Sequence, residues 1–175
     1  MRPALHVIKW PGPGRLATMG HPRGGSWLPD EMNGLAELGV DVLVSALTSD
    51  EDGRMGLTGI AGAAAAVGVE YISFPIPDRG VPRDFGVADG LGTPEADIVA
   101  LGIRLAAHVR AGRFVVTQCF AGIGRSTLLA GATLVMLGAG PDEALRLVSQ
   151  ARGLPVPDTE LQRSWLYEFA ATHGP

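Results

Sequence analysis

Apolar positions along this chain fall into two kinds of run. Residues 40–47 form a nearly unbroken apolar stretch rich in Val, the pattern of a strand buried on both faces. Residues 69–76 and 113–118 read as two more strands. Residues 5–10 and 15–19 flank Pro11-Gly12-Pro13-Gly14, a turn that joins them as a hairpin. Helical segments lie between and after the strands. Pro29-Asp30-Glu31 places a proline and two acids where a first turn prefers them, and Gly39 ends that helix. An Ala-rich helix is predicted over 61–67. Thr93-Pro94 caps a helix that reaches about residue 110. Residues 126–137 and 141–151 are helical, and a last helix starts near Asp158. Residues 77–92 are left as a long loop. The stretch from Ser126 to Pro141 carries no charge but contains three glycines, and it is too short to span a bilayer, so it reads as a buried helix.

Strands alternating with helices predict an α/β fold: a central, mostly parallel sheet flanked by helices. In such sheets ligands bind beyond the carboxyl ends of the strands. No internal repeat and no long linker divides the chain, so 1–175 is expected to be a single domain.

Composition narrows the function classes. Apolar residues make up 46% and charged residues 18%, which suits a packed core rather than disorder. A net charge of −4 excludes a chain built to coat nucleic acid or an acidic membrane, while leaving room for a local basic pocket. One cysteine, Cys119, excludes a disulfide framework and a cysteine-based zinc site. No signal peptide opens the chain, so a reducing cytoplasm is the expected compartment.

The chemistry gathers after the third buried strand, in Cys119-Phe120-Ala121-Gly122-Ile123-Gly124-Arg125-Ser126. A thiol sits at a strand's end, and Arg125 opens the following helix. Glycines between them let the backbone curl so that several N–H groups face one point. The helix N-terminus adds positive potential. Residues 120–125 are thus a cradle for a tetrahedral dianion, with Arg125 able to grip two of its oxygens. The same field favours Cys119 as the thiolate, an in-line nucleophile for a bound phosphoryl group. Ser126 can donate to the sulfur as it departs. With 25 Gly, 13 Arg and 16 Ser plus Thr in 175 residues, this spacing after a given cysteine arises by chance roughly once in 7,000.

Cys-x5-Arg-Ser with its inner Gly-x-Gly resembles the signature loop of cysteine-dependent protein tyrosine and dual-specificity phosphatases. Pro75-Ile76-Pro77-Asp78-Arg79-Gly80-Val81-Pro82 resembles the general-acid loop of the compact, kinase-associated dual-specificity type. Val156-Pro157-Asp158-Thr159-Glu160-Leu161-Gln162 is similar to the segment whose glutamine positions the hydrolytic water. The resemblance covers roughly residues 40–165. It implies the phosphatase fold, a phosphocysteine intermediate on Cys119, Asp78 as general acid and then base, and Gln162 beside the water. It also implies no metal or cofactor, and a phosphorylated protein or peptide as substrate. An arginine that braces the signature loop in relatives is matched by Arg152. One departure stands out. The family usually has His before the cysteine, and here Gln118 replaces it, with an amide but no charge.

Asp84, Asp89 and Asp97 are rivals to Asp78 as the acid, because loop carboxylates are commonly solvated turn residues. Arg54, Arg79 and Arg83 line the mouth in one reading and are solvated surface residues in the other. Trp27 is either an exposed platform or packing. His6, His21, His108 and His173 have no ligand spacing. Two rival functions remain open: a phospho-binding module with weak turnover, and a phosphatase of small phosphorylated molecules. Against the second, the residues between Cys119 and Arg125 carry no positive charge. A thiol redox role would call for further cysteines.

Overall fold

The computed structural model describes residues 3–82 and 94–175; Arg83, Asp84, Asp89 and Thr93 lie outside these. Five strands form one sheet in the order β1-β2-β5-β3-β4. They are β1 (His6–Ile8), β2 (Arg15–Met19), β3 (Val42–Ser45), β4 (Glu70–Ser73) and β5 (Phe114–Gln118). β1 pairs antiparallel with β2 across the predicted hairpin; every other pair is parallel. The helices are α1 (Leu28–Glu37), α2 (Ser49–Met55), α3 (Ile60–Ala66), α4 (Pro94–Arg110), α5 (Arg125–Met136), α6 (Pro141–Arg152) and α7 (Glu160–His173). Asp97 falls in the first turn of α4.

Alternation along the strands builds the three layers. Leu16, Val42, Val44 and Val115 point into one core with α4, α5, α6 and α7. Ala17, Met19, Leu43, Phe114 and Val116 point into a second core with α1 and α3. All five residues of β5 are buried, because β5 is the middle strand with helices on both faces. α5 is buried on nearly every side, from Arg125 to Val135. It is the uncharged stretch of the sequence, and it lies between the sheet and the other helices of its layer. A helix so enclosed cannot carry charge beyond its first residue.

Among these seven helices and five strands, α2 was not predicted. α2 is polar and contains Gly53, so no apolar rhythm marks it. A capping box starts it instead: Thr48 accepts from the Glu51 backbone N–H while the Glu51 carboxylate accepts from the Thr48 N–H. Gly56, at φ 69°, ends it in the left-handed conformation that glycine tolerates.

Two residues of α4 test this packing. Leu105 is fully buried, whereas Ile103 is 56% exposed two positions earlier. Leu105→Ala should cost about 2–5 kcal/mol and Ile103→Ala less than about 0.5 kcal/mol. Urea unfolding measures both, and equal midpoints for the two variants would contradict the layer assignment.

Candidate active site

β5 delivers Cys119 to the C-terminal edge of the sheet, and α5 begins at Arg125. The loop between them is pinned to the end of β2. The Cys119 N–H donates to the Met19 carbonyl at 3.4 Å, and the His21 N–H to the Phe120 carbonyl at 3.2 Å. Two glycines are demanded by this path. Gly122 has φ 70°, and a Cβ there would sit 2.7 Å from the Met19 carbonyl carbon. A Cβ on Gly124 would run into the side chains of Asp158 and Gln162. From the far side Arg152 donates to the Gly122 carbonyl at 3.2 Å and to the Ala121 carbonyl at 3.3 Å, so it braces the loop.

Cys119 is 3% exposed, with its sulfur 3.3 Å from Ser126 Oγ. Thr117 donates to the Ser126 carbonyl and Thr127 to the Ile123 carbonyl, which ties the last turn of the loop to the helix. Arg125 is 2% exposed. Its Nη1 donates to Glu51 Oε2 at 2.7 Å and to the Ile76 carbonyl at 3.0 Å, and its Nη2 donates to Glu51 Oε1 at 2.8 Å. Nη2 also lies 3.4 Å from Asp78 Oδ1. The guanidinium therefore joins three segments: the loop, α2 and the Asp78 turn.

Glu51 is the residue that sequence reasoning missed. Burial pushes its carboxyl up, but the hydrogen bonds and charge of Arg125 and the Thr48 N–H outweigh burial and hold it at about 2. The reciprocal effect appears on Arg125: burial acts to lower its pKa, and Glu51 raises it on balance. The capping box Thr48-x-x-Glu51, directly after a buried strand, was the available signal.

Asp78 occupies an exposed tight turn in which the Gly80 N–H donates to the Pro77 carbonyl at 2.8 Å. Arg79 holds φ 59° there, a position that glycine usually fills, at a cost of roughly 1–2 kcal/mol. Gln162 holds the turn from beneath. It is fully buried; its Nε2 donates to the Gly80 carbonyl at 3.1 Å, and its Oε1 accepts from the Thr159 N–H at 3.3 Å. Gln118 is also fully buried, and neither end of its amide has a partner among the described residues.

A cleft of about 380 Å³ opens above these groups, lined by Glu51, Arg54, Met55, Asp78 and Phe120. Arg54 is at its mouth, whereas Arg79 is exposed without lining it. Trp27 is 53% exposed with the Arg23 guanidinium 4.4 Å over its ring, and Arg23 in turn bonds Glu31. Phe74 packs against the first core and Tyr71 against the second. Among the described residues no group of His, Cys, Asp and Glu is placed to hold a metal, and no helix is long and apolar enough to cross a membrane.

No protein-family model and no curated protein matches the sequence. Solved structures do. Kinase associated phosphatase, with its catalytic-site cysteine replaced by serine, superposes at a TM-score of 0.80 and 18% identity over 98% of this chain and 96% of that one. Tk-PTP in its active form gives 0.72 and 24% identity over 98% and 99%. PTPMT1 in complex with PI(5)P gives 0.65 and 18% identity over 90% of each chain. The likeness read in the signature loop thus extends to the whole architecture. The chain has the fold of the cysteine-dependent tyrosine and dual-specificity phosphatases.

The Glu51–Arg125 pair makes a prediction in acid. Because the folded carboxyl titrates below its ordinary value, its stabilisation is complete above about pH 4.5 and is lost as pH falls toward about 2. Glu51→Gln should cost about 3–5 kcal/mol at neutral pH by leaving a buried guanidinium uncompensated. Urea midpoints of wild type and variant should converge between pH 4.5 and 2. A difference that stays constant over that range would show that the loss does not come from the charge of Glu51.

Proposed function

We propose that this protein is a metal-independent phosphomonoesterase that hydrolyses phosphotyrosine, with or without phosphoserine and phosphothreonine, through a phosphocysteine intermediate. One observation carries the reading: Cys119, Ser126, Arg125 and Asp78 meet at one loop, with sulfur and serine oxygen 3.3 Å apart and guanidinium and carboxylate 3.4 Å apart. The substrate's phosphate lies in the cradle of Phe120, Ala121, Gly122, Ile123, Gly124 and Arg125. The Cys119 thiolate attacks phosphorus, and the bond to the ester oxygen breaks. Asp78 gives that oxygen its proton. Arg125 and the loop amides offset charge on the equatorial oxygens. Water then attacks phosphorus while Asp78 takes its proton; Gln162, expected to place that water, acts instead through the Asp78 turn that it holds. The phosphorus–sulfur bond breaks, and Ser126 donates to the returning thiolate.

Para-nitrophenyl phosphate hydrolysis in EDTA tests the scheme. Cys119→Ser should abolish turnover, and Asp78→Asn should lower it by about 10²–10⁴-fold. Turnover that requires added metal, or that survives Cys119→Ser, would sink it. The scheme also needs Cys119 ionised while Asp78 is protonated, so kcat/KM should trace a bell against pH, and Asp78→Asn should remove its alkaline limb.

A second reading, a phospho-binding module with weak turnover, draws on Gln118. Its buried amide takes the place of the family's usual histidine and finds no partner among the described residues. Tight binding of a phosphotyrosine peptide with no turnover between pH 5 and 8 would favour that reading.

A further inference from the structure

We infer that Phe120, held in place by His21, is a specificity-determining residue that selects aryl over alkyl and polyanionic phosphate groups. The inference rests on the proposed use of the 119–125 loop for phosphate and names what lies beyond the phosphate. Phe120 directly follows the proposed nucleophile and is 56% exposed, unlike the fully buried residues before it. A large apolar side chain in that position gains much less from folding than a buried one, because more than half of its surface remains wet. Yet it is fixed in position. Its carbonyl accepts from the His21 N–H at 3.2 Å, and its ring lies 5.2 Å from the His21 imidazole at 43°. His21 is itself anchored, with Nδ1 2.8 Å from the Pro22 carbonyl oxygen. A β-carbon on Gly20 would press to 3.2 Å from the Phe120 carbonyl, so the two segments are in close contact.

The other apolar wall of the cleft is Met55. It sits at the end of α2, and the backbone of Gly24 and Gly25 packs there: the Gly25 N–H donates to the Gly56 carbonyl at 2.8 Å. The segment from Gly20 to Gly25 therefore spans from the Phe120 wall to the Met55 wall and fixes both. Aromatic and thioether groups are suited to a flat ring between them. The charges of the cleft argue against a polyol carrying several phosphates. Among the described lining residues Arg54 is the one cation besides two acids, Glu51 and Asp78, and Glu51 is already committed to Arg125.

Equilibrium binding of inorganic phosphate, methylphosphonate and phenylphosphonate tests this without requiring turnover. Wild type should prefer phenylphosphonate to methylphosphonate. Phe120→Ala should weaken phenylphosphonate about fivefold more than it weakens phosphate or methylphosphonate; Phe120→Tyr should retain the preference. His21→Ala, acting only through the Phe120 ring, should give a smaller loss of the same kind, and His21→Phe should restore it. In kinetics these changes should raise KM for aryl esters more than for alkyl esters. Equal losses for all three anions, or an unchanged aryl preference in Phe120→Ala, would overturn the inference while leaving the phosphatase reading standing. A retained, Phe120-dependent aryl preference in a protein that hydrolyses nothing would do the reverse. No binding of any of the three anions would defeat both.

Discussion

A guanidinium that keeps its proton at every ordinary pH and shows 2% of its surface to solvent must be neutralised where it lies. That requirement organises the site. Arg125 is held at the start of α5 by the loop, so its partner has to come from elsewhere in the chain. Glu51 supplies it, with both carboxylate oxygens engaged. For Glu51 to arrive there, the chain after β3 must turn at Thr48 and form a helix at once, and the capping box makes it do so. The Ile76 carbonyl takes a further donor from the same guanidinium and brings the Asp78 turn to the loop. One buried cation thereby fixes the relation between the Cys119 loop, the Asp78 turn and α2.

Much of this was legible in the chain. The Val-rich strand residues and the uncharged stretch of α5 are enclosed on all sides, and enclosure leaves a compositional trace. The order of strands and helices followed from those traces. The loop was legible because its glycines answer to local constraints: a left-handed φ at Gly122 and a close approach at Gly124. What escaped was polar and distant. α2 buries only Glu51, so it has no apolar stripe, and the partner of Glu51 lies 74 residues further on. Spacing along a chain cannot disclose a contact set by two crossovers, from β3 to β4 and from β4 to β5. The capping box marked the helix start without saying what its glutamate would bind.

The Asp78 turn combines exposure with restraint. Asp78 itself is 71% exposed. The residues that carry it are not free. Ile76 is fully buried, Gly80 is bound through its carbonyl by Gln162, and Arg79 is kept in a left-handed conformation. Strain of this kind persists only where surrounding contacts over-determine the backbone. Here those contacts come from both sides, from Arg125 in α5 and from Gln162 in α7.

The place of Gln162 has a consequence for biosynthesis. The sheet, the cysteine loop and its arginine are complete in the first 125 residues of the chain. Gln162 underpins the Asp78 turn and borders Gly124, yet it lies on the last helix. In a nascent chain the loop and the Asp78 turn thus gain this support only after α7 has left the ribosome and docked. Until then the Cys119 thiol stands beside an unsupported turn, and the assembly of this site waits on α7.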